Sequence, residues 1–149
     1  MTTDAWLAIA HHLAIFGVFA VLVAEWALVR PDMGVDEVRR VTRIDAAYGA
    51  LAGAVLVAGV SRVVWGSSPA DFYLENPVFW FKMAAFAAVG LLSIRPTLRF
   101  LRWRGAVEQA GAEPAVAEVA VVQRAIRLQL EVFVAIPVLA ALMARGIGR

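Results

Sequence analysis

Residues 77–94 read PVFWFKMAAFAAVGLLSI, and their reading decides the fold. The run is apolar apart from one charge, Lys82, with aromatics packed before it. Its length is close to the roughly 20 residues that a helix needs to cross a bilayer. Asn76-Pro77 suits the start of such a helix, with Asn as the cap and Pro at the first helical position. A charge inside such a run is costly in lipid, so Lys82 calls for a reason.

Three further runs have the same character. The expected helices cover about 5–29, 44–65, 77–94 and 115–143. Arg30-Pro31 closes the first and the stretch from Trp65 to Pro69 closes the second. Glu113-Pro114 opens the fourth, which begins outside the bilayer and enters it near Leu128. Nothing reads as a strand or a longer repeat. The expected fold is all-α: an integral membrane four-helix bundle, with residues 1–149 as a single membrane domain.

Composition agrees. The chain is 62% hydrophobic, and its mean hydropathy is +0.75. A soluble domain holds roughly 45–50% apolar residues. A chain of 149 residues cannot bury so much apolar surface by itself, so the lipid bilayer must cover it. There is no cysteine, which excludes disulfides, thiolate zinc, iron–sulfur clusters and covalently attached haem. The pI near 9.7 does not point to nucleic acid, because the arginines gather at the ends of apolar runs. The first run has no Lys or Arg before it, unlike a cleaved signal peptide, and is expected to be retained.

Arginine placement predicts orientation. Arg30, Arg39, Arg40 and Arg43 lie in the first connection. Arg95, Arg99, Arg102 and Arg104 lie in the third, with Arg124 and Arg127 after it. The second, GSSPADFYLEN, has no Lys or Arg. Connections one and three are therefore expected in the cytoplasm and both termini on the non-cytoplasmic side, with Arg145 and Arg149 outnumbered. Trp6, Trp65, Trp80 and Trp103 are placed as interfacial anchors. Gly49 and Gly53 form a GxxxG, and Ala46, Ala50, Ala54 and Ala58 recur every four residues, which predicts close helix approach.

Ionisable residues inside membrane helices are functional candidates. They fall at two levels. His11, His12, Arg62 and Lys82 form the outer one. His11 lies roughly 9 Å along its helix and Lys82 roughly 8 Å along its own, at 1.5 Å per residue, so the two can meet across the bundle. Glu25, Asp45, Arg124, Arg127 and Glu131 form the inner level, where the acidic pair Glu25 and Asp45 is expected to face the arginines in an ion-pair network. Tyr48 shares a face with Asp45. His11 and Glu25, fourteen residues apart, share the face of helix one that lines the bundle, and His12 points about 100° away. Plainer roles remain for each: Lys82 snorkelling to headgroups, and the inner charges as a structural clamp. No phosphate loop, H-E-x-x-H or nucleophile elbow occurs.

A His early in helix one, Lys82 early in helix three, and Arg127, Glu131 and Pro137 in helix four resemble the HemJ-type protoporphyrinogen oxidases. The segments AHHLAIFGVF, RIDAAYG, FYLENPVFWFKMAAFAAVGLLSI and PTLRFLRWR are more similar to an uncharacterised bacterial family of predicted four-helix membrane proteins. In HemJ-type proteins the last helix carries a tight Arg-x-x-Asn-Glu-x-Pro run; here Gln129 stands at a shifted position and Pro137 lies six residues past Glu131. The resemblance implies a haem- or porphyrin-associated redox protein of the bacterial inner membrane. It implies haem b, with His11 or His12 as axial ligand and Lys82 and Arg62 beside the tetrapyrrole. Lys82, Arg127 and Glu131 are then the proton-handling residues, and quinone is a possible electron acceptor. The alternatives are an accessory subunit of a larger membrane complex or a homo-oligomer, and a small ion or metal transporter. Lys82 is expected to face His11 or a ligand beside it.

Overall fold

The structure is a computed structural model that describes residues 3–148; Arg149, weighed above for orientation, lies outside them. The described residues form five helices and no strand. They are α1 (Thr3–Leu28), α2 (Val35–Trp65), α3 (Ala70–Leu74), α4 (Pro77–Ala110) and α5 (Val116–Ala144). The four long ones are each long and apolar enough to cross a membrane.

They make an up-down-up-down bundle in which α1 packs on α2, α2 on α4, α4 on α5 and α5 on α1. Short connections make sequential helices antiparallel neighbours. Both described ends of the chain therefore sit at one end of the bundle. There Ser67 donates to Asp4 at 2.9 Å, and the Asn76 amide donates to the Ile147 carbonyl at 3.4 Å. The other end carries the arginines.

Two helices outrun their expected bounds. α2 starts at Val35 rather than near Ile44. Its first turn holds Asp36 and Glu37, which favour a helix N-terminus, and the Glu37 carboxylate accepts from the Gly34 N–H at 3.1 Å. α4 does not stop at Ile94 but runs on through Pro96 to Ala110. Proline removes one N–H, yet Phe100, Trp103 and Val107 beyond it all bury on one face, and that packing holds the helix. At 34 residues α4 is about 51 Å long, well beyond the roughly 30 Å hydrocarbon core. The helix ends at Gly111, whose φ of 61° is left-handed. The connection between Trp65 and Asn76 also contains the short α3, so it is not wholly irregular.

The core is uneven along the bundle. At the arginine-rich end Val29, Val38, Val41, Phe100, Val119 and Ile126 are wholly buried. Toward the termini the helices face outward: Leu13, Phe16, Val57, Phe81 and Leu91 are all well exposed. Only 11% to 22% of the most apolar stretch of each long helix is buried within the protein. A bilayer must cover the rest.

The GxxxG makes no close approach within this chain. A Cβ added at Gly49 or Gly53 would meet no atom within 4 Å, so no helix of this chain packs there. Close approach uses Gly17 and Gly59 instead, where an added Cβ would lie 3.2 Å from Leu51 and from His11. Trp103 is likewise not an interfacial anchor: it is 3% exposed, while Trp6, Trp65 and Trp80 lie on the surface. Its indole N–H donates to the Glu118 carboxylate at 3.0 Å, and Arg99 pairs with the same carboxylate.

Candidate functional site

The antiparallel register of α2 and α4 is pinned by two contacts. Thr97 Oγ1 donates to Asp45 Oδ1 at 2.8 Å, and Thr42 Oγ1 to the Phe100 carbonyl at 3.4 Å. Followed toward the termini, that register puts Arg62 and Lys82 at one level. On α1, His11 packs against the α2 backbone at Gly59. The buried stripe Ala14, Val18, Leu22 and Glu25 continues the face on which His11 lies.

Three helices thus bring basic groups to one place. His11 lies within electrostatic reach of Lys82, Arg62 and His12, and Lys82 within reach of Arg62. α1 and α4 are diagonal in the bundle, so His11 and Lys82 approach across its interior. Lys82 Nζ stands 5.2 Å from the Phe79 ring centroid, a distance at which a cation is attracted to the ring face. Lys82 is half-buried, and it faces inward groups rather than acting purely as a headgroup anchor. Arg62 Nε is buried without a hydrogen-bond partner, while the His11 ring lies within hydrogen-bonding reach of the Val55 backbone. His12 is apart from this cluster: it is exposed and its Nδ1 lies 2.6 Å from the Ala8 carbonyl.

The inner level differs from expectation. Glu25 and Asp45 do come together, and both are buried, at 2% and 8% exposure. The arginines do not meet them. Arg124, Arg127 and Glu131 lie on the exposed face of α5, where Arg127 Nε donates to Glu131 at 3.0 Å. The reason is rotational: Val122, Ile126, Gln129, Phe133 and Ile136 form the buried stripe of α5, and they turn the arginines outward. The Phe19 and Phe133 rings, 5.5 Å apart, fix α1 against α5 with Gln129 within about one turn of the level of Glu25. The acidic pair therefore keeps company with polar neutrals. Thr97 binds Asp45, Ser93 lies within hydrogen-bonding reach of Tyr48, and Tyr48 is in turn within electrostatic reach of both acids. Glu25 Oε1 and both amide atoms of Gln129 have no partner.

Ser93 and Thr97 were the residues sequence reading missed. They sit i,i+4 on α4, at a height that matches Asp45 once α2 and α4 are paired. Among the described residues no group of three or more His, Cys, Asp or Glu is placed to hold a metal ion.

The comparison with protein families matches residues 3–148 to the family described as predicted membrane protein (DUF2214). The chain belongs to the DUF2214 family. It is a membrane protein with four helices able to span a bilayer. The similarity to a four-helix membrane family is thereby established across nearly the whole chain of this DUF2214 protein, and nothing found supports the HemJ likeness. No curated protein and no solved structure matches.

Proposed function

We propose that this DUF2214 protein binds an anionic, largely apolar ligand of the tetrapyrrole class at the level of His11, Arg62 and Lys82. One observation carries the reading: three basic side chains from three helices converge, no carboxylate of the described residues forms an ion pair with them, and Arg62 Nε is buried without a partner. Cationic groups held in a low-dielectric setting are stabilised by an anion. The carboxylates of a porphyrin have the matching charge, and its ring suits an apolar, aromatic setting in which Phe79 and Tyr73 are buried.

If the ligand is haem b, the protein contributes His11. His11, packed against α2 at Gly59, would be the residue that holds its iron. Haem when bound supplies one-electron chemistry. Lys82 and Arg62 would pair with its carboxylates, and Glu25 and Asp45 sit too far along α1 and α2 to take part in that contact. The same reading places both termini outside a bacterial inner membrane, because the arginine-rich end stays in the cytoplasm.

The test is an absorption spectrum of protein purified in mild detergent, before and after dithionite, and again after adding haem or protoporphyrin. A Soret band lost in His11→Ala and weakened at least tenfold in affinity by Lys82→Met supports the reading. A flat visible spectrum that added haem and protoporphyrin leave unchanged removes it. A second reading, a packing or accessory role, is favoured by the open Gly49 and Gly53 face of α2. It predicts that Lys82→Met leaves assembly with a partner or a second copy intact. Orientation is checked separately in this cysteine-free chain: Ser68→Cys should react with an impermeant thiol reagent on intact cells, and Ala112→Cys only after lysis.

A further inference from the structure

A cleft of about 670 Å³ opens between α2 and α4. Its walls are small: Gly49, Gly53 and Gly90 line it, and a Cβ added at any of them meets nothing within 4 Å. Its lining is mostly apolar, and its polar inner surface is a small patch of Asp45, Tyr48, Ser93 and Thr97. Small-molecule sites commonly span about 300–1,000 Å³ and combine an apolar wall with a few converging polar groups.

The charge of that inner surface is what selects a ligand. Asp45 lines it, and Glu25, on α1, lies behind that surface within electrostatic reach of Asp45. Glu25 Oε1 has no partner, and the Gln129 amide, 1% exposed, has none at either end. Among the described residues no basic side chain forms an ion pair with them. Just past α1, Arg30 Nε donates to the Ala27 carbonyl; on α2, Arg43 Nε donates to the Arg39 carbonyl. On α4, Arg95 is exposed and Arg99 is taken by Glu118; on α5, Arg124 is exposed and Arg127 is taken by Glu131. Arg104, at the cleft mouth, is paired with Glu108 at 2.7 Å. Buried acidic groups without a cation are stabilised by one that arrives.

We propose that the α2–α4 cleft is a binding site for a lipophilic amine, whose ammonium group meets Asp45, with Glu25 reinforcing the negative field behind it, and whose apolar tail lies along Gly49, Gly53 and Gly90 toward the bilayer. An ammonium donates three hydrogen bonds and accepts none, which suits the Asp45 carboxylate, an acceptor only when ionised. A phospholipid phosphate brings the wrong sign. The site is separate from the basic cluster and opposite to it in charge, so this inference does not rest on the tetrapyrrole reading.

The probes are octylamine, octanol and octyl phosphate, titrated calorimetrically into the full chain in zwitterionic nanodiscs, with empty nanodiscs subtracted. The expected result is saturable octylamine binding at one site per chain, at least tenfold tighter than octanol. Asp45→Asn and Glu25→Gln should each weaken it at least tenfold, and Gly53→Leu, which fills the open cleft, should remove it. Equal affinity for amine and alcohol, tighter binding of octyl phosphate, or amine binding that survives the carboxylate substitutions overturns the proposal. Should the carboxylate variants fail to fold, amine binding that survives Gly53→Leu overturns it equally. Haem binding is titrated on the same samples, so that failure of one site is read apart from the other.

Discussion

Thr97 and Gln129 show how differently two buried polar side chains can stand. The Thr97 hydroxyl donates to Asp45 at 2.8 Å and ties α4 to α2. Thr97→Val keeps the shape and removes the donor, leaving the carboxylate short of a partner; a loss of about 1.5–3 kcal/mol in stability is expected, as for hydrogen bonds to charged groups. Chemical denaturation in detergent micelles measures it, and an unchanged midpoint would show that Asp45 has another donor. Gln129 is the opposite case, an amide at 1% exposure with both atoms unpartnered. Gln129→Leu should raise the unfolding midpoint of the unliganded protein, by about 1–3 kcal/mol, the cost of an unmet buried polar group. A stabilising substitution at this position means the amide is kept for something other than folding. His11 and Glu25 were legible as residues of one helix face because fourteen residues is close to four turns. Gln129 was not legible as buried, because a polar residue one position from an exposed leucine has no pattern that announces it.

At the scale of the element, helix starts follow local chemistry and helix ends follow packing. Asn76 caps α4 as its sequence suggests: its side chain accepts from the Val78 N–H at 2.8 Å, and Pro77 takes the first position. Asn76→Ala should cost about 1 kcal/mol, read from the thermal midpoint, with further loss if the contact to the Ile147 carbonyl counts. The far end of the same helix escaped sequence reading. Arg95-Pro96 looks like a stop, yet the turns beyond it bury Phe100, Trp103 and Val107 against α5 and α2. A proline forfeits one hydrogen bond, and a continuous apolar stripe on the far side outweighs it. The rotation of α5 was equally hidden. Its valines, isoleucines and leucines lie on all sides, so nothing local states which side turns inward, and Arg127 and Glu131 end up pairing with each other on the surface.

For the molecule as a whole, stability and solvent are divided along the bundle axis. The arginine-rich end packs like a soluble core, whereas the end with the termini leaves its large side chains to the bilayer. Phe100→Ala should therefore cost about 3–5 kcal/mol, in the range for large core truncations, while Leu13→Ala, at a site 66% exposed, should cost less than about 1 kcal/mol in micelles. Equal costs would mean that the membrane half is packed as tightly as the other. Charge is divided as well. Basic groups meet near the termini, acidic groups meet about three to four turns away along α1, and among the described residues neither cluster forms an ion pair.

The sequence by itself determined the number of spans, the all-α class and the height of each ionisable residue. Length and composition set the first two, and a constant rise of 1.5 Å per residue sets the third. Only the tertiary structure decided which way each helix turns. It separated Arg124 and Arg127 from Glu25 and Asp45, brought Arg62 to Lys82, and left the Gly49 and Gly53 face open as a cleft. The physical reason is that lipid and core are both apolar. A helix that is apolar on every side carries no local signal of rotation, so its facing is set by the fit of its side chains against three neighbours.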